Sequence, residues 1–179
     1  DTTESEKEKQ QLKFTLDAEK MVTNCISALY QQNDIVETTT QVLRLFGSFL
    51  SADRTYIIYI RDGLMYNDYE WCADGISPQK DYLQELPLSL IERWITYFNR
   101  KECIIIKDLE QIKESEPDEY EVLHGQSISS LVAAPLEEDG KLLGYLGVDN
   151  PPPDRIMNIA PLLQTLCYFL LLALSLIHI

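Results

Sequence analysis

The sequence predicts an α+β domain in which helices cover an antiparallel sheet of five to six strands. Two Asp-Gly dipeptides, Asp62-Gly63 and Asp139-Gly140, each separate two runs suited to strands. Both residues of such a turn tolerate the positive φ that a tight hairpin demands. Apolar stripes at helical spacing flank these runs. Two hairpins and one further short strand, set in the order α-α-β-β-α-β-α-β-β-α, then give an antiparallel sheet with helices on its faces.

The elements follow in order. Residues 1–20 are polar and charge-mixed, with Glu6-Lys7-Glu8-Lys9 alternating, and read as a solvated lead-in helix or linker. Met21, Val22, Cys25, Ile26 and Leu29 then form an amphipathic stripe. Asp34 with Glu37 three residues on is a capping-box pattern for a second helix, whose inner face carries Val42, Leu45, Phe46 and Phe49. The first hairpin joins Arg54–Arg61 to Leu64–Cys72. A helix entered at Ser89, with Glu92 as box partner, carries Trp94, Ile95 and Phe98. Cys103–Lys107 reads as a short strand. The acidic segment from Asp108 reads as a solvated helix closing at Gly125. Ser130–Leu136 and Leu142–Asp149 form the second hairpin. Pro151-Pro152-Pro153 punctuates before a final helix that starts near Asp154.

Composition narrows the function. The chain has 179 residues, and 15 Lys+Arg against 29 Asp+Glu give a net charge of −14. That length can bury one sizeable core. An acidic surface argues against nucleic acid or anionic membrane as the main partner. The four cysteines, Cys25, Cys72, Cys103 and Cys167, form no CxxC pair and suit a reduced, cytoplasmic compartment. Nucleotide-binding glycine loops, HExxH and GxSxG are missing, and His124 is the sole histidine of the globular part. No catalysis, metal or cofactor is expected.

Ala52-Asp53-Arg54, Tyr69-Glu70-Trp71-Cys72, Ser130-Leu131-Val132-x-x-Pro135-Leu136 and the run from Gly140 to Asp149-Asn150-Pro151 resemble a GAF domain of a bacterial signalling protein. The resemblance spans Cys25 to Ala173. It implies a sensory module with its first and last helices packed on one sheet face and a ligand pocket between a sheet face and covering helices. It further implies a homodimer through the terminal helices and an output module downstream, such as a diguanylate cyclase. The cyclic-nucleotide signature of the family is absent. Where bilin-binding relatives carry Cys-His, this sequence has Pro117-Asp118.

Strand alternation puts Asn67, Tyr69 and Trp71 on one face and Tyr66, Asp68, Glu70 and Cys72 on the other. Tyr56, Tyr69, Glu70, Trp71, Trp94 and Asp149 are the candidate pocket residues, with core packing the alternative for both tryptophans. Asp149-Asn150 either caps the last helix or closes the pocket. The competing functions are a ligand-free dimerisation scaffold and a redox enzyme using Cys72 or Cys103.

The last helix passes a hydropathy test for a membrane span. Against a span stand Pro161, Gln164 and a 3-4-spaced series of Ile156, Ile159, Leu163, Leu166, Leu170 and Ala173, the seam of a packed helix. Leu174-Ser-Leu-Ile-His-Ile179 matches the translation of a transposase-type sequencing adapter. Residues 174–179 are therefore expected to be an artefact, residues 21–173 to be the domain, and the chain to be a fragment.

Overall fold

One antiparallel sheet of six strands, in the order β3-β2-β1-β6-β5-β4, separates two layers of helix in the computed structural model, which describes residues 2–31 and 34–177. The strands are β1 (Arg54–Arg61), β2 (Leu64–Cys72), β3 (Leu86–Pro87), β4 (Ile104–Ile106), β5 (Leu131–Glu138) and β6 (Lys141–Asp149). The two foreseen hairpins are β1–β2 and β5–β6. Their turns hold Asp62 at φ 52° with Gly63 at 76°, and Asp139 at 53° with Gly140 at 78°. That pair of positive values matches the right-handed twist of the flanking strands.

The first layer is α1 (Thr2–Tyr30), α2 (Ile35–Leu50) and α5 (Ile156–Ile177). Asp34 caps α2, its carboxylate accepting from the amides of Val36 at 2.9 Å and Glu37 at 3.3 Å. Val42, Leu43, Phe46 and Leu50 of α2 pack on Ile57, Leu146 and Val148 of the sheet. In α5 the 3-4 series holds: Ile156, Ile159, Leu163, Leu166 and Leu170 are all buried in this core. By length and composition α5 could still cross a membrane, the one such helix among the described residues. Packing of α1 begins earlier than its Met21 stripe. Phe14 and Ala18, inside the segment read as a lead-in, are buried. Phe14 meets Phe49 at 5.6 Å between ring centres and lies under the Arg155 guanidinium at 4.8 Å.

The second layer is α3 (Glu92–Asn99) and α4 (Pro117–Gly125) with the intervening loops. Here local detail departs from the sequence reading. Ser89 does not cap α3; the helix is entered through a 3-10 turn, Leu88–Ile91, that starts after the extended Pro87. Gly125 is the last residue of α4, and the left-handed residue that turns the chain is Ser127 at φ 60°. Strand β3, two residues pairing with Leu64 and Met65, is too short to show a period in sequence. Of the six residues read as adapter, 178 and 179 lie outside the described residues.

Candidate functional site

On the α3–α4 side, Tyr56 and Ile58 of β1, Met65 of β2 and Tyr145 of β6 floor a cavity of about 60 Å³. Its roof is Ile91 and Trp94 on one flank and Glu119, Leu123 and Gln126 on the other. Leu90 and Val122, 41% and 42% exposed, form an apolar rim. Three aromatic side chains, Tyr56, Trp94 and Tyr145, share the lining with aliphatic ones. Tyr145 lies 5.6 Å from both Trp94 and Phe98 and 6.5 Å from Tyr56, centre to centre. The volume left is far below the ~300–1,000 Å³ of drug-sized pockets.

Glu119 ties the two flanks together. Its Oε1 accepts from Arg93 Nε and Trp94 Nε1, each at 3.0 Å, and its Oε2 from an Arg93 terminal nitrogen at 2.7 Å. The two-point Arg–carboxylate pairing fixes α4 against α3 in orientation as well as distance. The acidic segment is thus not merely a solvated face. Tyr120 is also buried, donating to Glu110 Oε1 at 2.7 Å, and His124 stacks on its ring at 5.2 Å.

A second polar cluster lies at the end of the sheet. Arg54 opens β1 and Asp149 closes β6, and the register sets them opposite each other. Both are nearly inaccessible, at 2% and 1% exposure. Arg54 Nε donates to Asp149 Oδ2 at 2.9 Å, and its terminal nitrogens donate to the carbonyls of Ser77 and Gln126. Tyr56 donates its hydroxyl to Asp149 Oδ1 at 2.9 Å. Burial pushes the Asp149 carboxyl up to about 6, outweighing Arg54 and the Tyr56 hydroxyl, which pull it down. Burial, with the Asp149 carboxylate, holds the Tyr56 hydroxyl well above its ordinary range.

The candidate residues divide between the faces. Tyr56, Glu70, Trp94 and Asp149 belong to the cavity side, although Glu70 and Asp149 stand beside the cavity without lining it. Tyr69 and Trp71 point the other way, into the layer of α1, α2 and α5. Trp71 packs where Gly47 leaves room: a Cβ there would sit 2.3 Å from its ring. Strict alternation along β2 fails because the register slips between Ile57 and Ile58, which pair with Tyr69 and Asn67 and leave Asp68 out. The slip moves Asn67 to the face of Glu70, and Asn67 Nδ2 donates to Glu70 Oε2 at 3.3 Å.

Glu70 has a structural task. Its carboxylate accepts the amides of Gln79, at 3.0 Å, and Lys80, at 3.2 Å, anchoring the connection from β2 to β3. Asn150 does not cap α5. At φ 54° it accepts from the amides of Ser129 and Ser130 and donates to Asp53 and the Ser127 carbonyl, stitching three segments together. Local sequence does not mark Arg54, Arg93, Glu119 or Tyr145 as a site residue. Arg54 and Tyr145 sit in quoted motifs, whereas Arg93 and Glu119, 26 positions apart, carry no local signal of their pairing.

The thiols offer little reactivity. Burial pushes Cys72 up to about 12, helped by Glu70, and Cys103 up to about 11. The thiolate required for redox chemistry is suppressed at both. No group of three or more His, Cys, Asp or Glu side chains is placed to hold a metal among the described residues.

Three comparisons bear on this architecture. The family profile described as "GAF domain" matches residues 34–174. The methanogenesis regulatory histidine kinase FilI of Methanothrix harundinacea is 30% identical over 139 residues, covering 70% of this chain and 14% of the kinase. The chain therefore corresponds to a small part of that protein. The chromophore-binding domain of Stigmatella aurantiaca phytochrome P1 superposes with a TM-score of 0.67 at 16% identity, over 87% of this chain and 59% of that one. A phycoerythrobilin-bound domain of a cyanobacterial phytochrome gives 0.68 at 15%, over 90% and 98%. The corresponding domain of an Acinetobacter phosphoenolpyruvate-protein phosphotransferase gives 0.66 at 15%, over 89% and 93%. At these identities the structures share the fold.

Proposed function

The chain belongs to the GAF domain family, and from that premise we propose that it is a non-catalytic sensory domain that binds a small molecule between its sheet and the α3–α4 layer. The observation that carries this reading is the cavity itself: an aromatic chamber with an apolar rim, closed by one carboxylate clamp. Ligand occupancy would displace α4 or α3, strain the sheet through Tyr56 and Tyr145, and bias α1 and α5 on the opposite face. The terminal helices would pass that bias to a partner copy and to an output module.

The output is a signalling enzyme: a histidine kinase transmitter, as the relative's name supports, or the diguanylate cyclase that the family resemblance implies. Histidine-kinase or diguanylate-cyclase motifs in the full-length gene discriminate the two. Four unpaired thiols fit a cytoplasmic setting.

The test is a thermal-shift screen of the domain with nucleotides, amino acids, small organic acids and neutral organic molecules, read together with tryptophan fluorescence. A ligand at about 100 times its dissociation constant adds roughly 2.7 kcal/mol and should raise Tm by several degrees. The emission change should persist in Trp71→Phe and vanish in Trp94→Phe. One observation favours the alternative of a ligand-free dimerisation scaffold, namely the small volume of the chamber. No shift with any compound, in a protein that remains dimeric, would select it.

A further inference from the structure

The Tyr145 side chain gives this cavity a chemical preference. Its ring is wedged among Trp94, Phe98 and Tyr56, and the residue is only 6% exposed. Its hydroxyl makes no hydrogen bond to any protein group among the described residues. It is not one of the sealed polar atoms without a partner, which are Thr39 Oγ1 and Asn67 Oδ1. The hydroxyl therefore opens on water-sized space, and Tyr145 lines the cavity. An O–H that opens on a cavity and has no protein acceptor is free to donate to whatever molecule fills that space.

The charged groups nearby are already committed. Both oxygens of Glu119 are taken by Arg93 and Trp94, and both oxygens of Asp149 by Arg54 and Tyr56. Each terminal nitrogen of Arg54 also donates to a backbone carbonyl, of Ser77 and of Gln126. A charged occupant would meet no free counter-charge and would lose its hydration against Ile58, Met65, Ile91 and Leu123. Burial holds the Tyr145 phenol above its ordinary range, so it remains a donor across physiological pH. The volume, about 60 Å³, admits only a few heavy atoms while Glu119 holds α4 in place.

Resting on the reading of this cavity as the ligand site, we propose that the occupant is a compact neutral molecule of a few heavy atoms with one hydrogen-bond acceptor, such as a short-chain ketone, aldehyde or amide, and that the Tyr145 hydroxyl is the donor that recognises it.

Acetone and isobutene are suitable probes, because they share a shape and differ by a carbonyl oxygen against a methylene. Binding of each to the wild-type domain and to Tyr145→Phe is followed through the amide NMR shifts of Leu123 and Gln126. Tyr145→Phe removes one oxygen that holds no protein bond, so the fold is retained. Loss of one neutral hydrogen bond should weaken acetone by about fivefold or more and leave isobutene within twofold. Equal responses of the two probes to the substitution would overturn Tyr145 as the recognising donor, and so would binding of isobutene alone; either leaves the cavity as a ligand site. If neither probe shifts these amides in the wild type or in Glu119→Gln, the ligand class falls, while the reading of the cavity as a ligand site stands or falls with the thermal-shift screen.

Discussion

Under α1, α2 and α5 the sheet offers Ile57, Ala134, Leu146 and Val148 to Leu43, Phe46, Ile159 and Leu163, and the result is a dense aliphatic core. Under α3 and α4 the same strands offer Tyr56, Ile58 and Tyr145 to Trp94 and Phe98, and the result is an aromatic chamber with unfilled space beside two carboxylate–guanidinium pairs. Aliphatic side chains interdigitate and leave few voids. Flat rings meeting edge to face at 5.6–6.5 Å leave gaps at their corners. The difference teaches a division of labour: both faces bury an apolar core, and the second also holds paired charges in place around a space.

Three measurements would break or sharpen that contrast. Phe46→Ala, in the fully buried core of the first face, should cost about 3–5 kcal/mol in denaturant unfolding, while probe binding at the cavity by the surviving folded fraction is unchanged. A matching loss of cavity binding would show that the faces are not separable.

The second concerns pH. Asp149 has a folded-state pKa raised above its unfolded value, so the stability it contributes is fully present below about pH 4 and is lost as pH rises through about 6. Between pH 5 and pH 7.5 the wild type should therefore lose on the order of 1 kcal/mol relative to Asp149→Asn. Parallel stability profiles for the two proteins would show that Arg54 keeps the carboxyl ionised throughout.

The smallest effect is expected for Glu119→Gln. The Trp94 N–H keeps an acceptor, while the pair with the half-buried Arg93 is lost, at a cost of about 1 kcal/mol or less. Trp94 should nevertheless become more accessible to acrylamide quenching while Trp71 does not. Unchanged quenching of Trp94 would show that the clamp does not control the chamber.

Much of this architecture is legible in the chain because its signals are local. The Asp-Gly turns, the Asp34 cap and the 3-4 spacing of α5 each act within a few residues, and each appears where the sequence puts it. The face assignment of β2 was not legible, because a bulge depends on how the partner strand lies and not on the β2 sequence. That single slip explains why Asn67, which alternation groups with Tyr69 and Trp71, lies instead on the face of Glu70.

By itself, then, the sequence determined the hairpins, the helices and the family motifs. Only the tertiary structure decided which residues share a site. Arg54 meets Asp149 across 95 positions and Trp94 meets Glu119 across 25. Turn geometry and helical periodicity are fixed by neighbours along the backbone. The pairing of buried charges and the space between rings are fixed by what the folded sheet brings together, and a linear pattern does not encode that distance.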